Sequence, residues 1–81
     1  MSMLNLLRSK RDLRSKLADY GLSKRQQEVA ICGIQGLSNR QIAERLFIAE
    51  QTVKDHLHDI FEMMKINRRS ELAAKVLGLG P

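Results

Sequence analysis

Apolar residues recur along this chain with a helical period, and the gaps between the recurrences carry start and stop signals. In residues 49–64, AEQTVKDHLHDIFEMM, the residues Val53, Leu57, Ile60, Phe61 and Met64 share one face at i, i+4, i+7, i+8 and i+11 spacing. Gln51, Asp55, His58 and Glu62 fall on the opposite face, with Lys54 and Asp59 on its flanks. A helix over about 50–65 is therefore expected. Upstream, Ser23-Lys24-Arg25-Gln26 and Ser38-Asn39-Arg40-Gln41 each fit a capping box. There the serine accepts from an orphan backbone N–H and the glutamine reaches back to the cap. Leu22 and Leu37 precede the two boxes, as a hydrophobic staple requires.

These signals predict helices over about 24–35 and 39–45. Val29, Cys32, Gly33 and Gly36 mark one stripe of the former, with Ala30 and Ile34 beside it. Gly36 is placed for a left-handed helix end. Gly33 costs about 1 kcal/mol against alanine inside a helix, and close approach of another helix is a reason for it. Ile42, Ala43 and Leu46 face inward on the second, and Leu46-Phe47-Ile48 reads as a tight connection that plugs into the core. A last helix is expected from Asn67 or Arg68 to Leu77, with Leu72, Ala73, Val76 and Leu77 on one side and Gly78 and Gly80 ending it.

Residues 1–20 are distinct. Leu4, Leu7, Leu13, Leu17 and Tyr20 form a partial helical stripe with basic residues opposite. A helical arm, a dimer contact and the tail of a linker all fit this stretch. The expected fold class is all-α: a compact four-helix domain over 21–81 containing a helix-turn-helix, with an N-terminal helical arm or linker over 1–20.

Composition narrows the class. Eighty-one residues make one small domain, and one Tyr, two Phe and no Trp require a mainly aliphatic core. A single cysteine, Cys32, cannot form an internal disulfide, which suits a reducing compartment. No apolar run approaches the roughly 18 residues that span a bilayer, and Met1 to Leu7 is too short for a secretory signal. A cytoplasmic protein with no membrane partner is the expectation. The net charge is +5, and Arg8, Lys10, Arg11, Arg14 and Lys16 against Asp12 and Asp19 place +3 of it in residues 1–20. That balance permits nucleic acid or an acidic surface as partner and selects neither.

A short helix, a tight connection and a longer helix form the pattern of a helix-turn-helix, whose second helix enters the DNA major groove. An ordinary helical hairpin in a small bundle has the same spacing. His56 and His58, two residues apart on a helix, point to different sides and cannot share an ion, so no metal site is expected. His56 instead reads as a partly buried histidine bonded to backbone or phosphate. No nucleophile–base pair, phosphate-binding glycine loop or paired carboxylate stands out. Neither an enzyme nor a cofactor is expected.

Over about residues 22 to 77 the chain resembles the LuxR/GerE-type DNA-binding domain. The residues that carry the likeness are Leu22, Ser23, Arg25, Glu28 and Val29, then Gly36 to Asn39 and Ile42 to Leu46. Phe47-Ile48, Glu50, Thr52-Val53-Lys54, His56, Ile60-Phe61 and Arg69-Ser70-Glu71-Leu72 follow in order. The resemblance implies a transcription regulator that dimerises through its last helix, with Leu72, Val76 and Leu79 at that interface. By position, Lys54, Asp55 and His58 would touch bases or nearby phosphates. Gln51, Thr52 and Arg69 would lie on phosphate, and Asn39 and Arg40 are in reach of it from the bracing helix. Such a domain can stand alone or form part of a larger receiver- or ligand-regulated protein.

Departures from the family pattern matter as much. Ala49 stands where the family usually has a capping serine, at a cost of about 1 kcal/mol, although Thr52 could still hydrogen-bond near that end. Asp55, Asp59 and Glu62 repel phosphate, from which non-specific affinity comes. An Asp can nevertheless accept from cytosine N4, and Lys54 can donate to guanine. Asp55 equally fits a solvated residue paired with Lys54 or a nearby arginine.

Two functions follow. One is a dimeric, sequence-specific binder of double-stranded DNA in a bacterial transcription regulator, for which RNA polymerase is a further candidate partner. The other is a protein-interaction module that pairs with another regulator chain, suggested by the leucine-bearing basic arm and the acidic third helix.

Overall fold

The computed structural model describes residues 10–78. The residues Leu4, Leu7, Arg8 and Leu79, to which roles were assigned above, lie outside them. Five helices and no strand occur among the described residues: α1 (Lys10–Asp19), α2 (Lys24–Ile34), α3 (Asn39–Leu46), α4 (Glu50–Met64) and α5 (Ser70–Leu77).

Helices α2 and α3 begin where their capping boxes place them. Ser23 Oγ accepts from Gln26 N at 3.2 Å while Gln26 Oε1 accepts from Ser23 N at 2.9 Å. Ser38 and Gln41 repeat the exchange at 3.1 and 2.8 Å. The end of α2 is a Schellman turn through Gly36, at φ +89°, with Leu37 N donating to Cys32 O at 3.1 Å and Gly36 N to Gly33 O at 3.1 Å. Every helix ends on a left-handed residue: Gly21, Gly36 and Gly78, but also Phe47 (φ 57°) and Lys65 (φ 56°).

Helix α2 lies at the centre. It packs against α1, α3, α4 and α5, and Val29, Ala30, Ile31 and Cys32 are all buried as a result. Four successive buried positions cannot be one stripe, and Ile31, on no predicted stripe, is 5 % exposed. The remaining core is aliphatic as expected, from Ile42 and Ala43 through Val53, Leu57, Ile60 and Met64 to Leu72 and Val76. Leu13 and Leu17 of α1 join the same cluster, and α1 packs on α2 and α5.

Gly33 is explained by close packing. A β-carbon there would sit 3.1 Å from Leu72 Cδ1, so α5 approaches α2 at a distance only glycine permits without adjustment.

Two expectations are corrected. Phe47 does not plug into the core: it is 93 % exposed. Its left-handed backbone closes the end of α3, with Phe47 and Ile48 N–H groups both bonded to Ala43 O, and this leaves the ring in solvent between half-buried Leu46 and Ile48. The last helix starts at Ser70 rather than Asn67 or Arg68. The residues before it form a tight turn, with Glu71 N on Arg68 O and Leu72 N on Arg69 O, each at 3.0 Å.

Candidate nucleic-acid interface

Helix α4 presents two chemically different sides. Its apolar side is held against α2 and α3, and Val53 and Ile60 have no exposed surface. Gln51, Lys54, Asp55, His58, Asp59 and Glu62 are all exposed. The bases of this face are thus presented by a helix whose position is fixed by packing, and not by a mobile loop.

Side chains on the face are organised along the helix. Gln51 Nε2 donates to Asp55 Oδ1 at 3.1 Å, and His58 Nε2 lies 3.1 Å from Glu62 Oε1. Both are i, i+4 neighbours, the spacing at which helical side chains meet. Asp55 is therefore engaged by an amide and not by Lys54 or an arginine. Lys54 forms no ion pair among the described residues and is free to act as a cation. His56 is half-buried and makes no side-chain hydrogen bond among the described residues.

The start of α4 is open. Ala49 has the extended backbone of an N-cap (φ −71°, ψ 148°) but makes no side-chain cap bond. Thr52, half-buried, does not take over that role with a side-chain hydrogen bond. Glu50 in the first turn complements the positive end of the helix dipole.

Other candidates are brought together in an unexpected way. Arg69, just before α5, sends one guanidinium nitrogen to Asn39 Oδ1 and the other to the Leu37 carbonyl oxygen. Two residues expected on phosphate are thus bonded to each other across 30 positions of sequence, and the Leu37 carbonyl is 32 positions from Arg69. Nothing in the local pattern signals this contact. Arg40 is exposed on the first turn of α3.

Leu72 and Val76 are corrected as interface residues. They are 0 % and 2 % exposed within the protomer, so neither has surface to offer a second chain. Elsewhere on α5, Ser70 is exposed and Ala73 and Ala74 are half-buried, while half-buried Leu77 packs against the core.

One grouping escaped the sequence reading. His58, Asp59 and Glu62 bring three possible metal-ligand atoms within 4.8 Å of one another, all exposed. The His58–Glu62 pair accounts for that proximity, and no buried or unsatisfied group accompanies it. Among the described residues no helix is long and apolar enough to cross a membrane.

Comparison with known proteins gives this geometry a context. The model of the family described as "Bacterial regulatory proteins, luxR family" matches residues 20–76. The nitrate/nitrite response regulator protein NarP of Escherichia coli is 47% identical over 58 residues, 72% of this chain and 26% of that protein. The transcriptional regulatory protein DegU of Brevibacillus brevis is 37% identical over 59 residues, 73% of this chain and 25% of DegU. The spore germination protein GerE of Bacillus subtilis is 32% identical over 59 residues, 73% of this chain and 80% of GerE. The chain thus spans about a quarter of the length of NarP and DegU. No solved structure gives a significant match.

Proposed function

The chain belongs to the luxR family of bacterial regulatory proteins, and on that premise we propose that it binds double-stranded DNA as a dimeric, cytoplasmic transcription regulator. Members of this family are regulators and not enzymes. Helix α4 lies in the major groove, with Lys54, Asp55 and His58 toward the bases. Arg40, Gln51 and Thr52 are the phosphate contacts, with Asn39 at the same edge.

The observation that carries this reading is the exposed polar face of α4 standing on an apolar one whose Val53, Leu57, Ile60 and Met64 are buried. Such a helix has one free side, and in a helix-turn-helix that side is the reading surface. Its acidity fits base readout better than general phosphate attraction. With one oxygen held by Gln51, Asp55 keeps acceptor capacity for cytosine N4, and Lys54 is unpaired for guanine. The dimer forms through the surface of α5 that bears Ser70, Ala73 and Ala74, and Leu79, outside the described residues, is expected to take part. Two recognition helices then meet half-sites about one turn, or roughly 34 Å, apart.

The interaction-module reading has less support. Leu13 and Leu17, part of the apolar stripe that suggested it, are buried in the protomer's own core.

The test selects duplexes from random DNA with the wild-type chain and then compares Lys54→Ala on the selected site. Lys54 is exposed, so the variant should keep its melting temperature while losing about tenfold or more in affinity, as bidentate base contacts do. Equal binding by the folded variant would remove α4 from the groove. No saturable binding to any duplex at low salt would remove DNA altogether and favour the interaction module.

A further inference from the structure

The Arg69 contact joins parts of the molecule that have separate roles in the proposed function. Arg69 stands at the entrance to α5, while Leu37 and Asn39 flank the cap of α3. The guanidinium donates to both, and the contact is partly buried. Gly33 lies beneath this contact: a β-carbon there would stand 4.0 Å from Arg69 Nε, at ordinary van der Waals distance, and 3.1 Å from Leu72 Cδ1. A planar guanidinium offers donors in a fixed fork, so engaging two acceptors sets its orientation.

Chemistry at Asn39 follows from which atom is taken. Its amide has one acceptor and one double donor. Arg69 carries no acceptor, so it must hold Oδ1, and the NH2 group is left facing away from it. That NH2 makes no hydrogen bond among the described residues. At the first position of α3, beside exposed Arg40, an outward donor is suited to an anionic oxygen.

We propose that Arg69 is a positioning residue: it does not touch DNA itself but fixes Asn39 so that the amide NH2 donates to a backbone phosphate, tying the placement of α5 to the phosphate grip of α3. This rests on the DNA-binding reading above. It reassigns Arg69 from a phosphate ligand to the group that orients one.

The decisive variant is Asn39→Asp. Its carboxylate still accepts from Arg69 and suits the start of a helix, so the fold and its melting temperature are retained. It cannot donate to phosphate. Affinity for the selected duplex should fall about tenfold or more; because the new carboxylate also repels phosphate, the uncharged Asn39→Ala must lose affinity as well, with the slope of log K against log salt nearly unchanged, since a neutral amide displaces no counterion. Arg69→Met should lower affinity with the slope nearly unchanged, and Asn39→Ala in the Arg69→Met background should add little. Arg69→Lys, lacking the fork, should restore binding only in part.

Three results overturn the assignment. Asn39→Asp binding with wild-type affinity and slope shows that the amide does not meet phosphate. Independent, additive losses from the two variants show that Arg69 contacts DNA directly. Loss in Arg69→Met that only follows its stability and leaves the effect of Asn39→Ala undiminished shows a purely structural residue. Should Arg69→Met fail to fold, Asn39→Asp alone still decides. If wild type binds no duplex, the DNA reading fails; if wild type and Lys54→Ala behave as expected and Asn39→Asp binds normally, only the Arg69 assignment fails.

Discussion

Helices α2 and α3 begin in a different way from α4 and α5. The first two carry complete capping boxes, each a reciprocal exchange between a serine and a glutamine three residues on. The last two have no side-chain cap bond, at Ala49 and Arg69 respectively. A capped start is written within four residues and is specified before the chain has collapsed. An uncapped start depends on what the rest of the helix packs against, and on contacts from remote segments. In this protein the locally specified starts hold the scaffold, while the open ones belong to the helix proposed to read DNA and to the helix proposed to pair two chains.

That contrast can be broken most severely at the packing of α5. Leu72 has no exposed surface and fills the space against Gly33, so Leu72→Ala should cost about 2–5 kcal/mol. Denaturant unfolding would measure it, and a loss below that of a cap variant would mean that α5 is not held by packing. Ser38→Ala is next: about 1 kcal/mol, since one orphan N–H of α3 loses its acceptor while the core stays intact. Ala49→Ser acts in the opposite direction, adding a cap to α4 and raising stability by up to about 1 kcal/mol in the same assay. An unchanged midpoint would show that the open start already has an equivalent partner. The smallest effect is expected at Phe47→Asn. Asparagine tolerates the left-handed backbone better, and the ring buries almost nothing within the protomer, so a gain of a few tenths of a kcal/mol should appear as a slightly higher melting temperature.

Much of the fold is legible because its signals are local. Periodicity placed the apolar face of α4, and Val53, Leu57, Ile60 and Met64 are buried. The serine–glutamine spacing placed two helix starts, and Gly36 placed the end of α2. Phe47 shows how the same reasoning fails. An apolar residue between Leu46 and Ile48 reads as core, yet the turn demands a left-handed residue there and the backbone turns its ring outward. Hydrophobicity names a preference for burial; the direction of a side chain is decided by φ and ψ.

The candidate interface divides in a similar manner. Gln51, Lys54, Asp55 and His58 share a face by helical arithmetic alone, and the structure exposes all four. Their pairing along the helix, Gln51 with Asp55 and His58 with Glu62, also follows from i, i+4 spacing. Arg69 with Asn39 does not: no propensity or period relates positions that meet only when α5 crosses α2.

By itself the sequence determined five things of one kind: helical period, cap, helix end, charge along a face and the family to which these belong. The first four depend on residues within a few positions of one another, where the geometry of a single helix converts spacing into direction, and the family rests on such local patterns in a fixed order along the chain. Only the tertiary structure decided that α2 is central and buried on nearly every side, that Leu13 and Leu17 join its core, and that Leu72 and Val76 face inward. It alone brought Arg69 to Leu37 and Asn39. Burial and long-range hydrogen bonds depend on which surfaces meet, and a helix carries no record of its neighbours beyond the apolar area it must hide.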